Sequence, residues 1–421
     1  MHEAIVSLDE DHPVRIVPWP TYDKGYVVIG DEEVDAALRT IKSRRLFRYD
    51  NRPLAETEVG SFELELAAFF GVKHALAVSS GTAALAVSLF ALGIKAGDEV
   101  LCSAFGFPAS PSSIVLTGAT PVLFEVDENL HPDLVDLEKK ITNRTKAVLI
   151  IHMRGQSGDI AAVADLCGRY GLSLIEDAVP TLGARFKGRY LGIFGTVGAF
   201  STQSDKSLNT GEGGFLLTND SALFERAVAL SGAYEGLVGK HCDWPPTTDY
   251  LRLPLFNFRM DEIRGAIGRA QLKKLPARIE VLRRNYDRVS AIIGAYPELL
   301  IRKSFSDDAT LGDSVVFRVN SDDPSEVFRL SEAIRSEGID ARYFGPLGGT
   351  NVRVYWTWKF LFPSLSVDEI RRVLPNTTRW LDQTIDIPLS PLLTDRDIND
   401  LELAVGKSMS RWRKKRQTHH L

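Results

Sequence analysis

Between residues 74 and 218 the chain alternates short apolar runs with helical stretches, and no other feature narrows its fold so far. The runs are HALAV (74–78), EVLCS (99–103), TPVLFEV (120–126), KAVLII (146–151), LSLIE (172–176), VGAFS (197–201) and FLLT (215–218). Runs this short and this apolar suit strands covered on both faces. The intervening stretches, among them 132–141, 160–170 and 222–230, carry helical periodicity. Strand and helix in alternation predict an α/β fold, a doubly wound and largely parallel sheet flanked by helices. Ahead of it, Val34, Leu38 and Ile41 recur at helical spacing in an amphipathic helix over 31–44, and a second helix covers 56–70. Helices over 261–275 and 277–296 follow it, interrupted by Pro276. Beyond about residue 270 short strands (314–319, 341–344) mix with helices (325–337, 367–373, 395–412), an α+β pattern. The expected division is an N-terminal arm over 1–25, a large domain over 26–270 and a small C-terminal domain over 271–421.

In an open α/β sheet, ligands bind at the carboxyl ends of the strands. Asp177 directly follows the run LSLIE. Lys206 follows VGAFS in a polar, glycine-flanked loop, 29 positions later. A carboxylate and a lysine on neighbouring strand ends are what pyridoxal phosphate chemistry requires: the amine forms an imine with the cofactor aldehyde, and the carboxylate keeps the pyridine nitrogen protonated. Each residue alone also reads as a solvated loop lysine or a helix cap. The stretch SSGTAAL places Ser80, Gly81 and Thr82 at a helix N-terminus, where amides and hydroxyls gather a phosphate, although such a turn is also an ordinary cap. Neither GxxxxGK[ST] nor GxGxxG occurs. Phe107, between a strand and a helix, reads either as a ring stacked on a flat cofactor or as a core aromatic. The segment His152-Met-Arg154-Gly follows a strand and belongs to the same edge.

Composition excludes several classes. A net charge of −5 argues against a nucleic-acid-binding surface. Cys102, Cys167 and Cys242 are far apart and form no CxxC pair, so neither a disulfide framework nor a metal site is expected. No apolar run reaches the roughly 18 residues of a membrane span. The N-terminus lacks the basic-then-apolar pattern of a signal peptide, so the expected compartment is the cytoplasm.

At the level of motifs the chain resembles the DegT/StrS sugar aminotransferases of pyridoxal-phosphate fold type I. SSGTAAL (79–85), TGATPVLFEVD (117–127), LIEDA (174–178), GTVGAFS (195–201), Ser201 to Lys206 with TGEGG (210–214), and NFRMDE (257–262) occur in that family's order and spacing. The resemblance implies a large domain with a mostly parallel mixed sheet and a smaller α+β domain. It also implies an aminotransferase that moves an amino group from L-glutamate or L-glutamine to a carbonyl of a ketosugar or related intermediate, with pyridoxamine phosphate as the amino-carrying form. Lys206 matches the imine-forming lysine, Asp177 the pyridine partner, and Phe107 the stacking ring. Gly81, Thr82, Ser201 and Gln203 match phosphate-side positions. Asn257 matches a residue that reaches the neighbouring subunit's cofactor, which implies a homodimer with shared active sites. Arg48, Arg154 and Arg259 are candidates for substrate carboxylate or phosphate, since arginine presents a planar fork, and Tyr49 beside Arg48 could also reach a substrate. The chain departs from the pattern at Pro180 and Leu182, where polar residues are usual. A lyase, dehydratase or epimerase on the same scaffold, or a transaminase of a non-sugar carbonyl, is the alternative.

Overall fold

The computed structural model describes residues 12–20, 26–234 and 236–419. The apolar runs become β1 (His74–Val78), β2 (Glu99–Ser103), β3 (Thr120–Phe124), β4 (Thr145–Ile151) and β5 (Ser173–Asp177). After a small hairpin of β6 (Arg185–Phe186) and β7 (Arg189–Tyr190) come β8 (Val197–Ser201) and β9 (Gly214–Thr218). They form a seven-stranded sheet in the order β1-β9-β8-β5-β4-β2-β3. β8, β5, β4, β2 and β3 run parallel, whereas β9 is antiparallel to both β8 and β1.

The helices of this part are α1 (Asp31–Ser43), α2 (Glu58–Phe70), α3 (Gly81–Ala91), α4 (Ala109–Leu116), α5 (Leu134–Lys139), α6 (Ile160–Tyr170), α7 (Ser221–Ser231) and α8 (Glu262–Gly294). Successive strand residues feed two cores, because side chains alternate across a sheet. Leu149 and Ile175 pack with Leu85, Leu89 and Val228 of α3 and α7. Val148, Ile150 and Leu174 pack with Phe62, Leu166 and Leu275 of α2, α6 and α8.

One sequence expectation needs correction. The helix expected to stop at Pro276 runs through it as one element of 33 residues. Proline removes one amide and crowds the carbonyl four residues earlier, but Pro276 is exposed, so water can solvate what the ring disrupts. The apolar stripe of α1 does not face the core: Val34, Leu38 and Ile41 are 50%, 44% and 50% exposed. Its buried face is Glu33, Ala36 and Thr40, held to α8 by Glu33 with Gln271 (2.8 Å) and Lys274 (2.8 Å).

A second sheet is antiparallel, in the order β10 (Leu299–Ile301), β11 (Ser314–Val319), β13 (Thr384–Pro388), β12 (Arg342–Tyr343). α9 (Pro324–Ser336), α10 (Val367–Arg371), α11 (Pro375–Asp382) and α12 (Asp395–His419) accompany it. Strands β10 and β13 and helix α11 carry no strong sequence signal and were not expected. Val315, Phe317, Ile334, Leu401 and Met409 form its core. Of the expected arm, residues 1–11 and 21–25 lie outside the described residues. The described part packs on this sheet: Trp19 is buried and its Nε1 donates to the Pro388 carbonyl at 3.1 Å, while Arg15 pairs with Asp397 at 2.7 Å. No described helix is long and apolar enough to cross a membrane.

Candidate active site

At the carboxyl ends of β4, β5 and β8 a cavity of about 480 Å³ opens between the large sheet and the second sheet. Asp177 and Lys206 both line it, together with Ser80, Gly81, Thr82, Phe107, Arg154, Ser201 and Gln203. Strand geometry places them there. Asp177 ends β5, and Glu176 beside it points to the opposite face. Glu176 is fully occupied there by amides of Gly192 (2.8 Å), Phe194 (2.6 Å) and Gly195 (2.7 Å) and by His152 Nε2 (3.0 Å).

Asp177 is buried with few partners. The Ser110 hydroxyl donates to Oδ2 at 2.6 Å and the Val179 amide to Oδ1 at 3.3 Å. Burial pushes its carboxyl above the ordinary range; those two bonds and the charges of His152 and Lys206 oppose the shift without cancelling it. Lys206 sits in the turn after β8, half-buried, with Nζ 2.9 Å from Asp205 Oδ1.

The third wall is the start of α3. Ser80 caps the helix, its hydroxyl accepting from the Ala83 amide at 3.0 Å. The amides of Gly81 and Thr82 belong to the first turn, where no intrahelical acceptor exists. Backbone approaches closely here. A Cβ on Gly81 would stand 2.8 Å from Ser201 Cβ, and one on Gly214 would stand 2.5 Å from the Ser80 carbonyl. Glycine at these two positions thus lets Ser201 and the start of β9 close up against the first turn of α3. Phe107 is 51% exposed on the cavity, which removes the core reading for this ring.

The substrate candidates separate. Arg154 lines the cavity, but its guanidinium pairs with buried Asp386 of β13, which also accepts from the Ser314 hydroxyl. Arg48, Tyr49 and Arg259 do not line it. Arg48 is 1% exposed, bonded to Glu63 at 2.7 Å and the Ala77 carbonyl at 3.2 Å. Tyr49 is buried with its hydroxyl 2.9 Å from His241 Nε2, and Arg259 donates to the Gly232 carbonyl at 2.9 Å. Asn257 is exposed and outside the cavity of its own chain. Leu182 is a core residue, whereas Pro180 faces the cavity.

Ser110, Glu212, Asp313 and Arg353 also contribute to this site without having been singled out in the sequence. Ser110 lies in a run of small residues that look alike. Asp313 and Arg353 come from the second sheet's surroundings, far away in the chain; Arg353 is fastened by its carbonyl to the Gly106 amide at 3.0 Å.

A model of the DegT/DnrJ/EryC1/StrS aminotransferase family matches residues 29–405. The chain belongs to this family. It is 32% identical over 388 residues to the spore coat polysaccharide biosynthesis protein SpsC of Bacillus subtilis (strain 168), covering 90% of this chain and 94% of that one. It is 38% identical over 226 residues to GDP-perosamine synthase of Vibrio cholerae, a match covering 53% of this chain and 59% of that one. Among solved structures, 3-amino-5-hydroxybenzoic acid synthase superposes with a TM-score of 0.78 at 25% identity, covering 95% of this chain and all (100%) of that one. Like its DegT/DnrJ/EryC1/StrS relatives, the protein is a pyridoxal-phosphate-dependent aminotransferase of fold type I. The cavity fits that cofactor: an under-partnered buried carboxylate suits a protonated pyridine, and the glycine-lined start of α3 suits the phosphate.

Proposed function

We propose that the enzyme transfers an amino group from L-glutamate or L-glutamine to a carbonyl of a ketosugar, nucleotide-linked or free, or of a related biosynthetic intermediate. The observation that carries this reading is the meeting of Asp177, Lys206 and the α3 N-terminus on one cavity. When bound, pyridoxal phosphate supplies an aldehyde that takes up amines and a ring that accepts electrons. Asp177 holds a positive charge on the ring nitrogen, with Ser110 fixing the carboxylate. Ser80, Gly81, Thr82, Ser201 and Gln203 bind the phosphate. Phe107 covers one face of the ring. The Lys206 amine carries a proton between the donor Cα and the cofactor carbon that receives the amino group. Arg154 lies where an anionic substrate group would enter, although its tie to Asp386 makes it part of the wall first.

The polysaccharide and perosamine relatives support a sugar acceptor, and the aminohydroxybenzoate synthase supports a non-sugar ring. Three free cysteines, Cys102, Cys167 and Cys242, accord with a reducing, cytoplasmic setting. The two sheets accord with a cofactor-binding domain over 26–270 and a small domain over 271–421, joined through α8.

The working unit in this proposal is a homodimer in which Asn257 serves the partner's site. The exposed stripe of α1 and the exposure of Asn257 support it. One experiment tests both parts. Lys206→Ala abolishes turnover, a loss on the order of 10³-fold or more, and borohydride reduction no longer traps cofactor on the chain. Mixing it with inactive Asn257→Ala subunits restores activity, because each hybrid holds one site with both residues native. Full turnover by Lys206→Ala ends the reading. Hybrids as inactive as their parents put Asn257 in its own chain's site, and an Asn257→Ala parent that is already active puts it in none.

A further inference from the structure

The turn that carries Lys206 presents a second charged side chain to the same cavity. Lys206 closes this turn, its amide donating to the Gln203 carbonyl at 2.9 Å, and Asp205 is the residue before it. Both line the cavity, with side chains 26% and 29% exposed. Asp205 Oδ1 lies 2.9 Å from Lys206 Nζ, yet the contact is an ion pair without an aligned hydrogen bond. This oxygen is buried, and no donor among the described residues meets it in hydrogen-bond geometry.

Two buried carboxylates elsewhere in the chain, Glu63 and Glu337, are held differently. Glu63 takes directed bonds from Arg48 (2.7 Å) and the Ala77 amide (2.7 Å). Glu337 takes them from Lys407 (3.0 Å), Arg411 (2.7 Å) and the Val14 amide (3.0 Å). Those pairs are fixed, whereas the Asp205 pair is close but loosely directed. A lysine needs such a partner when it must leave and return. Its long stem carries much rotamer entropy, and an amine without a local partner spreads that freedom into solvent. The Asp177 carboxylate already accepts from Ser110 and Val179.

We propose that Asp205 is a positioning residue for Lys206. It keeps the amine in the cavity whenever that amine is not bonded to the cofactor, and gives it up readily because no directed bond has to break. The proposal rests on the role of Lys206 given above.

The test compares wild type, Asp205→Ala and Asp205→Asn. Pyridoxal phosphate is added to each apo-protein, and its capture rate is followed by absorbance. Borohydride reduction and peptide mass analysis locate the bond. Asp205→Ala should slow capture at Lys206 about 10-fold, the scale of a mispositioned reacting group. Asp205→Asn retains an oxygen acceptor but not the charge and should lose about 3-fold, with a raised isotope effect. In turnover, Asp205→Ala should lower kcat with the KM for L-glutamate unchanged and raise the kinetic isotope effect with L-glutamate deuterated at Cα. A purely structural role would leave that isotope effect alone. Capture rate and isotope effect within about 2-fold of wild type in both variants would overturn the proposal. Should Asp205→Ala unfold, Asp205→Asn decides: an altered isotope effect supports the proposal, an unaltered one overturns it. Wild type that traps no cofactor on Lys206 refutes the functional reading itself, so the two failures are distinguishable.

Discussion

Asp177 and Asp386 are both buried aspartates near the cavity, and burial pushes both carboxyls above their ordinary range. Asp386, on β13, has a complete set of partners within the chain: the Arg154 guanidinium and the Ser314 hydroxyl. Asp177 has one hydroxyl and one long amide contact, with positive charge nearby but not bonded to it. An unpaired buried charge is costly and a paired one is tolerated. One region is therefore closed and fastens a cavity loop to the second sheet. The other is electrostatically unfinished, and in the proposed function a protonated pyridine would finish it. An incomplete buried carboxylate marks the functional position, and a complete one marks the frame that holds it.

Three measurements break or sharpen this contrast. The largest effect is expected at the unfinished site. Asp177→Asn should lower kcat/KM on the order of 10³-fold, about 4 kcal/mol of transition-state stabilisation, while the apo-protein stays folded by circular dichroism. Near-normal turnover would put Asp177 on the same footing as Asp386. Next, Asp386→Asn leaves Arg154 buried without its counter-charge and should cost about 3 kcal/mol in denaturant unfolding. If stability holds and only activity falls, the pair belongs to the chemistry and the contrast fails.

The smallest effect is a pH slope. Because the carboxyl of Asp177 is raised in the folded apo-protein, the folded state keeps a proton that the unfolded chain releases near its ordinary value of about 3.9. Native protein then binds more protons than unfolded protein, so this group's contribution to stability falls as pH rises through that window. Asn cannot ionise. Apo Asp177→Asn should gain on wild type as pH rises above about 4, and saturating cofactor should shrink the gain. A difference that does not change with pH would mean Asp177 is already compensated.

Much of this was legible in the chain. The limits of β1, β2 and β8 agree with the sequence reading because each run is short, apolar and bounded by turn-forming residues. The 185–190 hairpin was missed. Its turn puts Lys187 and Gly188 at φ +50° and +81°, a two-residue type I′-like turn whose first residue gives little warning. β10 has only three residues, too few for a periodicity to show. The side of α1 that meets α8 is not legible, because its spacing reveals an apolar stripe but not what that stripe faces. Arg48 attracted attention as a loop arginine, and its burial against Glu63 depends on α2 arriving beside it.

What the chain determined by itself is local and periodic: strand and helix alternation, the strand-end positions of Asp177 and Lys206, and the small residues opening α3. These follow from backbone geometry and neighbouring side chains. Only the folded structure decided which groups meet: Ser110 and Asp177, Asp386 and Arg154, Asp205 and Lys206. Two of those pairings join residues 67 and 232 positions apart. The third joins neighbours, but adjacency did not show that both side chains enter one cavity. An ionisable group's partners and water are set by packing around it, and no pattern in the chain encodes that directly.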